Sequence, residues 1–275
     1  MKTQQEKAAA FRALHERPGV FIIPNAWDAG SAKLLASLGF EALATTSLGL
    51  ANALGKVDGT GAVSRDELLA NCAQIAQATP LPVSADLENC YADEPRAAAR
   101  TITLAAEAGV VGGSIEDATG DEAKPIYDLS LATERVQAAV EATRALPFPF
   151  VLTARADGLL HGRNDLDDII RRLQAFEKAG ADVLYAPGLR DLATIRAVTS
   201  AVRRPVNVVM STADPALTTA QLAEAGVRRI SVGGALSRLA FAAVLKAAEE
   251  MKALGGFTWV SSTLPAKEVK RIFSA

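Results

Sequence analysis

The residues of this chain best suited to chemistry stand in four clusters, each at the end of a short apolar run. Asp86 and Glu88 close LPVSADLE, Glu116 and Asp117 close VGGSIED, Arg155 and Asp157 close FPFVLTARAD, and Thr45, Thr46 and Ser47 close EALATTS. Residues two apart on a strand share a face, so Asp86 and Glu88 point the same way and Glu116 on an adjacent strand would join them. Three carboxylates brought together repel one another and lose hydration unless a cation joins them, and an all-oxygen set suits a hard ion, Mg²⁺ or Mn²⁺. Taken singly, each acid could instead cap the next helix or pair with an arginine. Arg155 carries the forked donor that grips a substrate carboxylate, and it could equally pair with the same acids. Thr45, Thr46 and Ser47, followed by Gly49, could offer hydroxyls and backbone N–H groups to an anion. Asp117 and Asp157 read as supporting or capping residues.

These groups need elements to place them. Eight β-branched, apolar runs (VFIIPNAW, EALATTS, LPVSADLE, VGGSIED, FPFVLTARAD, ADVLYAPG, PVNVVM and VRRISVGG) alternate with segments of helical period such as SRDELLANCAQIAQA and DLDDIIRRLQAFEKAG. Several of these segments start on Ser or Asp and end on Gly, as helix caps and stops require. Strict alternation predicts parallel strands with crossover helices. Eight such units fit a closed (β/α)₈ TIM-type barrel better than an open doubly wound sheet, which uses the same units. Loops of such a barrel converge above the C-terminal strand ends, so the polar clusters of strands two to five face one mouth. Residues 1–275 read as a single barrel domain. The segment 235–275, a long helix from Ala235 followed by a break at Gly255 and Gly256, is expected to pack on a neighbouring subunit.

Of the 275 residues 49% are apolar and 22% charged, enough for one large core and without the signature of disorder. A net charge of -2 lacks the basic face that nucleic acid requires, so small metabolites are the expected partners. Cys72 and Cys90 form no C-x-x-C pair, which argues against a disulfide framework or zinc site and fits a reducing cytoplasm. The N-terminus lacks the apolar core of a signal peptide and no apolar run approaches the roughly 18 residues of a membrane span. Neither export nor a membrane is therefore expected. His15 is expected on the surface of the N-terminal helix, and His161, in DGLLHGRND, reads as a loop residue near Arg155.

Four stretches in order resemble the isocitrate lyase and phosphoenolpyruvate mutase superfamily. TTSLGLANALGKVDG is similar to its substrate-binding turn with an Asp after Leu-Gly, SADLENCYAD to its D-x-D-x-G-Y-G, SIEDATG to its I-E-D, and TARAD to its A-R-x-D/E. The resemblance covers most of the chain, from Val20 to Gly234. It implies a (β/α)₈ barrel, a last helix exchanged between subunits of a dimer or a dimer-of-dimers tetramer, and a Mg²⁺ chelated by the 2-oxo acid portion of the substrate. By position, it implies that Asp86 ligates the metal directly, that Glu88 and Glu116 hold it directly or through water, and that Asp58 supports its water shell. Thr45, Thr46 and Ser47 would bind the carboxylate together with Arg155. Such a site stabilises an enolate while a bond to C3 of a pyruvate unit breaks or forms.

The departures from the family bear on chemistry. Its lyases carry Lys-x-Cys-Gly-His in a mobile loop after I-E-D, and the Cys handles the proton; here the loop reads ATGDEAKPIYDLS, with Lys124 and Tyr127 but no Cys and no Gly-His. Lys124 or Tyr127 could donate the proton instead, and loop packing accounts for Tyr127 equally well. Glu88 is one carbon longer than the second Asp of the motif, the flexible Gly positions are gone, and Pro187 stands where the family tends to have an acid or His. Cys90 reads as a small buried residue rather than a nucleophile. Asn25, Trp27, Tyr185 and Asn207 at strand ends could line the pocket.

The resulting expectation is a Mg²⁺-dependent lyase or decarboxylase that cleaves a C–C bond of a small 2-oxo or 2-hydroxy di- or tricarboxylate through a pyruvate enolate. Decarboxylation or a lyase reaction of relaxed specificity suits the missing Cys best, because CO₂ departs without an acid and water can quench the enolate. The alternatives are P–C bond chemistry, as in a phosphonopyruvate hydrolase or phosphoenolpyruvate mutase, and a non-catalytic 2-oxo acid binding protein. Against the mutase, Lys124 is followed by Pro125 rather than by Asn-Ser.

Overall fold

The computed structural model describes residues 2–274. All eight expected strands form: β1 (Phe21–Ile23), β2 (Leu43–Ala44), β3 (Val83–Ala85), β4 (Gly112–Glu116), β5 (Val151–Arg155), β6 (Val183–Tyr185), β7 (Val206–Val209) and β8 (Arg229–Ser231). Between and around them lie α1 (Gln4–Glu16), α2 (Ala29–Ala36), α3 (Ser47–Ala53), α4 (Arg65–Ala78), α5 (Pro95–Glu107), α6 (Leu129–Arg144), α7 (Leu166–Ala179), α8 (Leu192–Ala201), α9 (Thr219–Glu224), α10 (Ala235–Leu254) and α11 (Ala266–Phe273). The helices start where the caps stand. Ser64 and Glu67 form a reciprocal capping box on α4, and Asp165 and Asp191 accept from the first turns of α7 and α8. Gly180 stops α7 in the left-handed conformation at φ 105°.

The strands are all parallel, in the order β1-β8-β7-β6-β5-β4-β3-β2. The ring closes just past β1, where Asn25 bridges to Ala44 and the Ala26 N–H donates to the Ala44 carbonyl at 2.8 Å. Asn25 holds this seam. Its amide donates to the Thr45 carbonyl at 2.7 Å and its carbonyl accepts from the N–H groups of Val232 and Gly233, both at 2.9 Å. A (β/α)₈ barrel is thereby complete, with its main core between strands and helices around Leu43, Ile75, Leu87, Ile102, Leu152 and Leu184. Each such side chain contributes about 1.5–3 kcal/mol by leaving water.

Helix α1 seals the floor. Phe11 and Leu14 pack with Phe21, Val111, Val151 and Val183 in a second apolar cluster. Gly112 permits this, since a Cβ there would sit 2.7 Å from the Phe11 ring. His15 belongs to the same seal, contrary to the expectation of a surface site: it is 8% exposed, edge-to-face with Phe11 and Phe21, and its Nδ1 lies 2.8 Å from the Phe11 carbonyl. Helical period put His15 one turn from Phe11, on the face that the barrel covers.

Barrel interiors of this kind are usually filled by Val, Ile and Leu. This one is polar in its middle. Strand register links Glu116, Arg155, Tyr185, Asn207, Arg229 and Phe21 in one row, and register neighbours share a face, so the row winds inward around the barrel towards the floor. Arg229 donates to Asn207 at 2.9 Å and to Thr153 at 2.9 Å, and its Nη1 lies 3.4 Å from Nε2 of His15.

Beyond the barrel, α10 buries only Ser237 and exposes Leu239, Phe241, Val244, Leu245 and Leu254. The chain then returns, and α11 lies on α2 with Ile272 buried and the Phe273 carbonyl accepting from Lys33 at 3.1 Å.

Candidate active site

The strand ends open into a cavity of about 620 Å³ whose walls include Ser47, Asp58, Glu88, Glu116, Arg155 and Asp157. A second cavity of about 240 Å³ shares the Ser47, Asp58 and Arg155 wall and extends over β6 to β8, adding Asp86, Tyr185, Ser211, Thr212 and Arg238. The clusters picked out in the sequence thus meet at one mouth.

Arg155, the last residue of β5, sits at its centre. Its Nε and Nη2 form a two-point pair with Asp157 at 2.5 and 2.6 Å, while Nη1 lies 3.0 Å from Glu116 and 3.6 Å from Asp86. The fork expected to grip a substrate carboxylate is therefore engaged by Asp157, and only the Nη1 side faces Asp86 and Glu116. Asp157 is positioned in turn by Asp117, which accepts its N–H at 2.7 Å and pairs with Arg172 at 3.1 Å. Asp117 is a supporting residue, as expected.

Asp86 accepts from the Ser47 N–H at 3.2 Å and from the Ser114 hydroxyl at 3.4 Å, and its own N–H donates to Thr45 at 2.9 Å. Thr45 is thus spent on the β2 to β3 junction, and Thr46 caps α3 by accepting from the Gly49 N–H at 3.4 Å. Of the three hydroxyl residues, only Ser47 lines both cavities. Burial pushes the carboxyl of Asp58 up, Asp86 adds to the shift, and the neighbouring Ser47 hydroxyl opposes it. Burial, then Asp86 and Asp58, lift Glu88 to about 7, and the Tyr91 hydroxyl donates to it at 3.1 Å. Glu116 is raised by burial against the pull of Arg155.

The loop carrying Glu88 is held unusually. Glu88, Cys90 and Tyr91 all have positive φ, 50°, 60° and 59°, a region that costs a side-chain-bearing residue of order 1–3 kcal/mol each. Arg135 of α6, 1% exposed, offsets this by donating to the carbonyls of Asn89, Ala92 and Asp93 while stacking 4.2 Å from the Tyr127 ring centroid. Sequence reasoning passed over Arg135, although Ala132, Val136 and Ala139 put it on the buried face of its helix. Tyr91, Ser114 and Arg238 were also missed.

The loop after β4 does not bring its expected acids to the mouth. Lys124 pairs with Asp128 at 2.6 Å on the exposed surface, and the Tyr127 hydroxyl donates to Asp93. Ala118 bridges to Ile126 and Thr119 donates to the Lys124 carbonyl at 2.6 Å, so the loop closes on itself. Only its first residues, Ala118, Thr119 and Gly120, line the cavity. Cys90 is wholly buried, its thiol lies 3.9 Å from the Ser114 carbonyl, and burial raises it to about 12. His161 lines the cavity from an exposed position; Asn25 and Asn207 line a narrow space below it, and Trp27 lies among the residues of neither.

The metal expectation needs one correction. Among the described residues no three acids, histidines or cysteines close on a single point, because Arg155 lies between Asp86 and Glu116 and Tyr91 holds Glu88. The donor set still fits a divalent ion. Asp58, Asp86, Glu88, Glu116 and Asp157 surround one guanidinium, and an ion such as Mg²⁺ binds through one or two carboxylates while keeping several waters.

Comparison with known proteins settles the family. The model of the phosphoenolpyruvate phosphomutase family matches residues 11–252. The chain belongs to that family. This phosphomutase-family chain is 57% identical to a protein from Burkholderia cenocepacia J2315 provisionally assigned as a lyase/mutase, whose crystal structure superposes with a TM-score of 0.96 over 99% of this chain and 97% of that one. It is 31% identical to the 2-methylisocitrate lyase of Escherichia coli K12, over 88% of this chain and 82% of the relative. It is 29% identical to an oxaloacetate decarboxylase of Ectopseudomonas mendocina, over 89% of this chain and 83% of the relative. The family likeness read from the four motifs is thereby confirmed. No helix among the described residues is long and apolar enough to cross a membrane.

Proposed function

We propose that the protein is a divalent-cation-dependent carbon–carbon lyase that releases a pyruvate-type enolate from a small 2-oxo or 2-hydroxy dicarboxylate, with decarboxylation as the reaction that suits this site best. One observation carries the reading: an acid-lined mouth built around Arg155, with no thiol brought to it by the loop after β4. The relatives that cleave 2-methylisocitrate and decarboxylate oxaloacetate support the C–C assignment.

Asp86 would hold Mg²⁺ directly, Glu88 and Glu116 directly or through water, with Asp58 supporting that shell. When bound, the ion supplies positive charge beside the oxygens of the 2-oxo acid. The chain does the rest. The Nη1 side of Arg155 meets the oxygen on which charge develops, and Asp157 fixes the guanidinium for that contact. Ser47 orients the 2-oxo acid end. Arg238, which has no side-chain partner among the described residues, meets the second carboxylate from the far wall with Ser211 and Thr212. A second copy of the chain covers the apolar face of α10, making the protein a homo-oligomer. Two free, buried thiols accord with a cytoplasmic enzyme.

Assay of oxaloacetate, 2-methylisocitrate, isocitrate and phosphonopyruvate with and without Mg²⁺ tests the reading. The expected result is turnover of a dicarboxylate only with metal. Equal rates after chelation would exclude the mechanism, and phosphate released from phosphonopyruvate would move the protein to P–C bond chemistry.

A further inference from the structure

We propose that Tyr185 is the acid that protonates the enolate at C3, in place of a loop cysteine; the proposal rests on the lyase reading above. Several of the proton donors that the loop and the strand ends offer are committed elsewhere. Lys124 is paired with Asp128 at the surface, the Tyr127 hydroxyl donates to Asp93, and the Tyr91 hydroxyl donates to Glu88. Cys72 and Cys90 are both fully buried and both raised to about 12 by burial.

Tyr185 is placed differently. It ends β6 in register with Arg155 on one side and Asn207 on the other, on the inward row of the barrel. It lines the upper cavity and the narrow space beneath it, and Asp86 and Arg155 line both as well. The Arg155 guanidinium carbon lies 5.4 Å from its ring centroid. Its hydroxyl makes no hydrogen bond to any described residue, yet the side chain is not sealed in the core. A phenol at that depth without a protein partner is a donor free to meet a ligand. Burial raises its pKa, opposed by Arg155, so it enters the reaction protonated at neutral pH.

The step balances with groups already present. Loss of CO₂ leaves the electron pair of the broken bond on C3, shared with the C2 oxygen as the enolate. The Tyr185 O–H bond breaks, its proton forms the new C3–H bond, and the enolate collapses to the C2 ketone. The phenolate left beside Arg155 takes a proton from water entering through the mouth, so the net proton comes from solvent.

Exchange of the pyruvate methyl protons in D₂O, followed by proton NMR with Mg²⁺, reads this transfer directly. The wild-type protein should wash in deuterium in a metal-dependent way. Tyr185→Phe should slow the exchange about 100-fold or more. Oxalate, a planar mimic of the enolate, should bind Tyr185→Phe with Mg²⁺ within about threefold of wild type by calorimetry, since Phe keeps the ring beside Arg155. Exchange within about threefold of wild type in Tyr185→Phe would assign the proton to water and overturn the proposal. Loss of oxalate binding would overturn it by making Tyr185 structural. Absence of metal-dependent exchange in the wild type would instead remove the lyase reading, and the proposal with it.

Discussion

Two arginines, Arg155 and Arg229, stand on the same inward row of the barrel, and their surroundings could hardly differ more. Burial works against the charge of Arg155, but Asp157, Glu116 and Asp86 outweigh it and push its pKa up. Arg229 meets only neutral groups, Asn207, Thr153 and His15, and burial lowers it to about 10. Both remain charged at neutral pH. The difference lies in what each charge can do. Arg155 sits at an open mouth among carboxylates, whereas Arg229 closes a network of neutral acceptors. A buried guanidinium is not by itself a substrate site; the charge of its neighbours and its access to the mouth decide.

The largest test of this contrast is Arg155→Lys. An ammonium cannot keep the two-point pair with Asp157 while facing Asp86 and Glu116, so kcat/KM should fall about 10³-fold or more, with far-ultraviolet circular dichroism unchanged. A loss under tenfold would show that Arg155 is only a counter-charge.

A smaller effect should appear at the floor. Burial first, and then the charge of Arg229, hold His15 down at about 3 against an ordinary value of 6.5, with the Phe11 carbonyl opposing. The unfolded chain therefore binds a proton that the folded chain refuses. Stability should fall as pH drops from 6.5 towards 3, by on the order of 3 kcal/mol at pH 4 from this residue. Urea titrations of His15→Gln should show a flatter acid limb than wild type between those values; parallel limbs would mean that the imidazole does not report on the floor.

The smallest effect is expected for Arg229→Met, which removes the buried charge and leaves Asn207 and Thr153 without their donor. Thermal melting should show a loss of about 1–2 kcal/mol, with kcat unchanged within about twofold. A collapse of activity would make the polar column part of the catalytic apparatus and erase the contrast between the two arginines.

Much of this was legible in the chain. The eight strands and their polar ends follow from β-branched runs bounded by caps and glycines, signals that act over a few residues. The meeting of Asp86, Glu116 and Arg155 was legible as well, because parallel strands bring equivalent ends to one rim. What was not legible depended on atoms far apart in sequence. Nothing local says that Asp157 would take the Arg155 fork, that Lys124 would turn away to Asp128, or that Arg135 would hold the carbonyls of a loop more than forty residues earlier. His15 was misread because a single histidine among charged neighbours looks solvated, and only the docking of α1 under the floor makes it buried.

By itself, then, the order of residues determined the alternation of strand and helix, the family, and the concentration of acids at one rim, since each follows from short-range periodicity and residue type. Tertiary structure alone decided which acid meets which base, which hydroxyls stay free, and which phenols face the mouth. Hydrogen-bond geometry and desolvation are set by groups from several strands at once, and no window of sequence contains them.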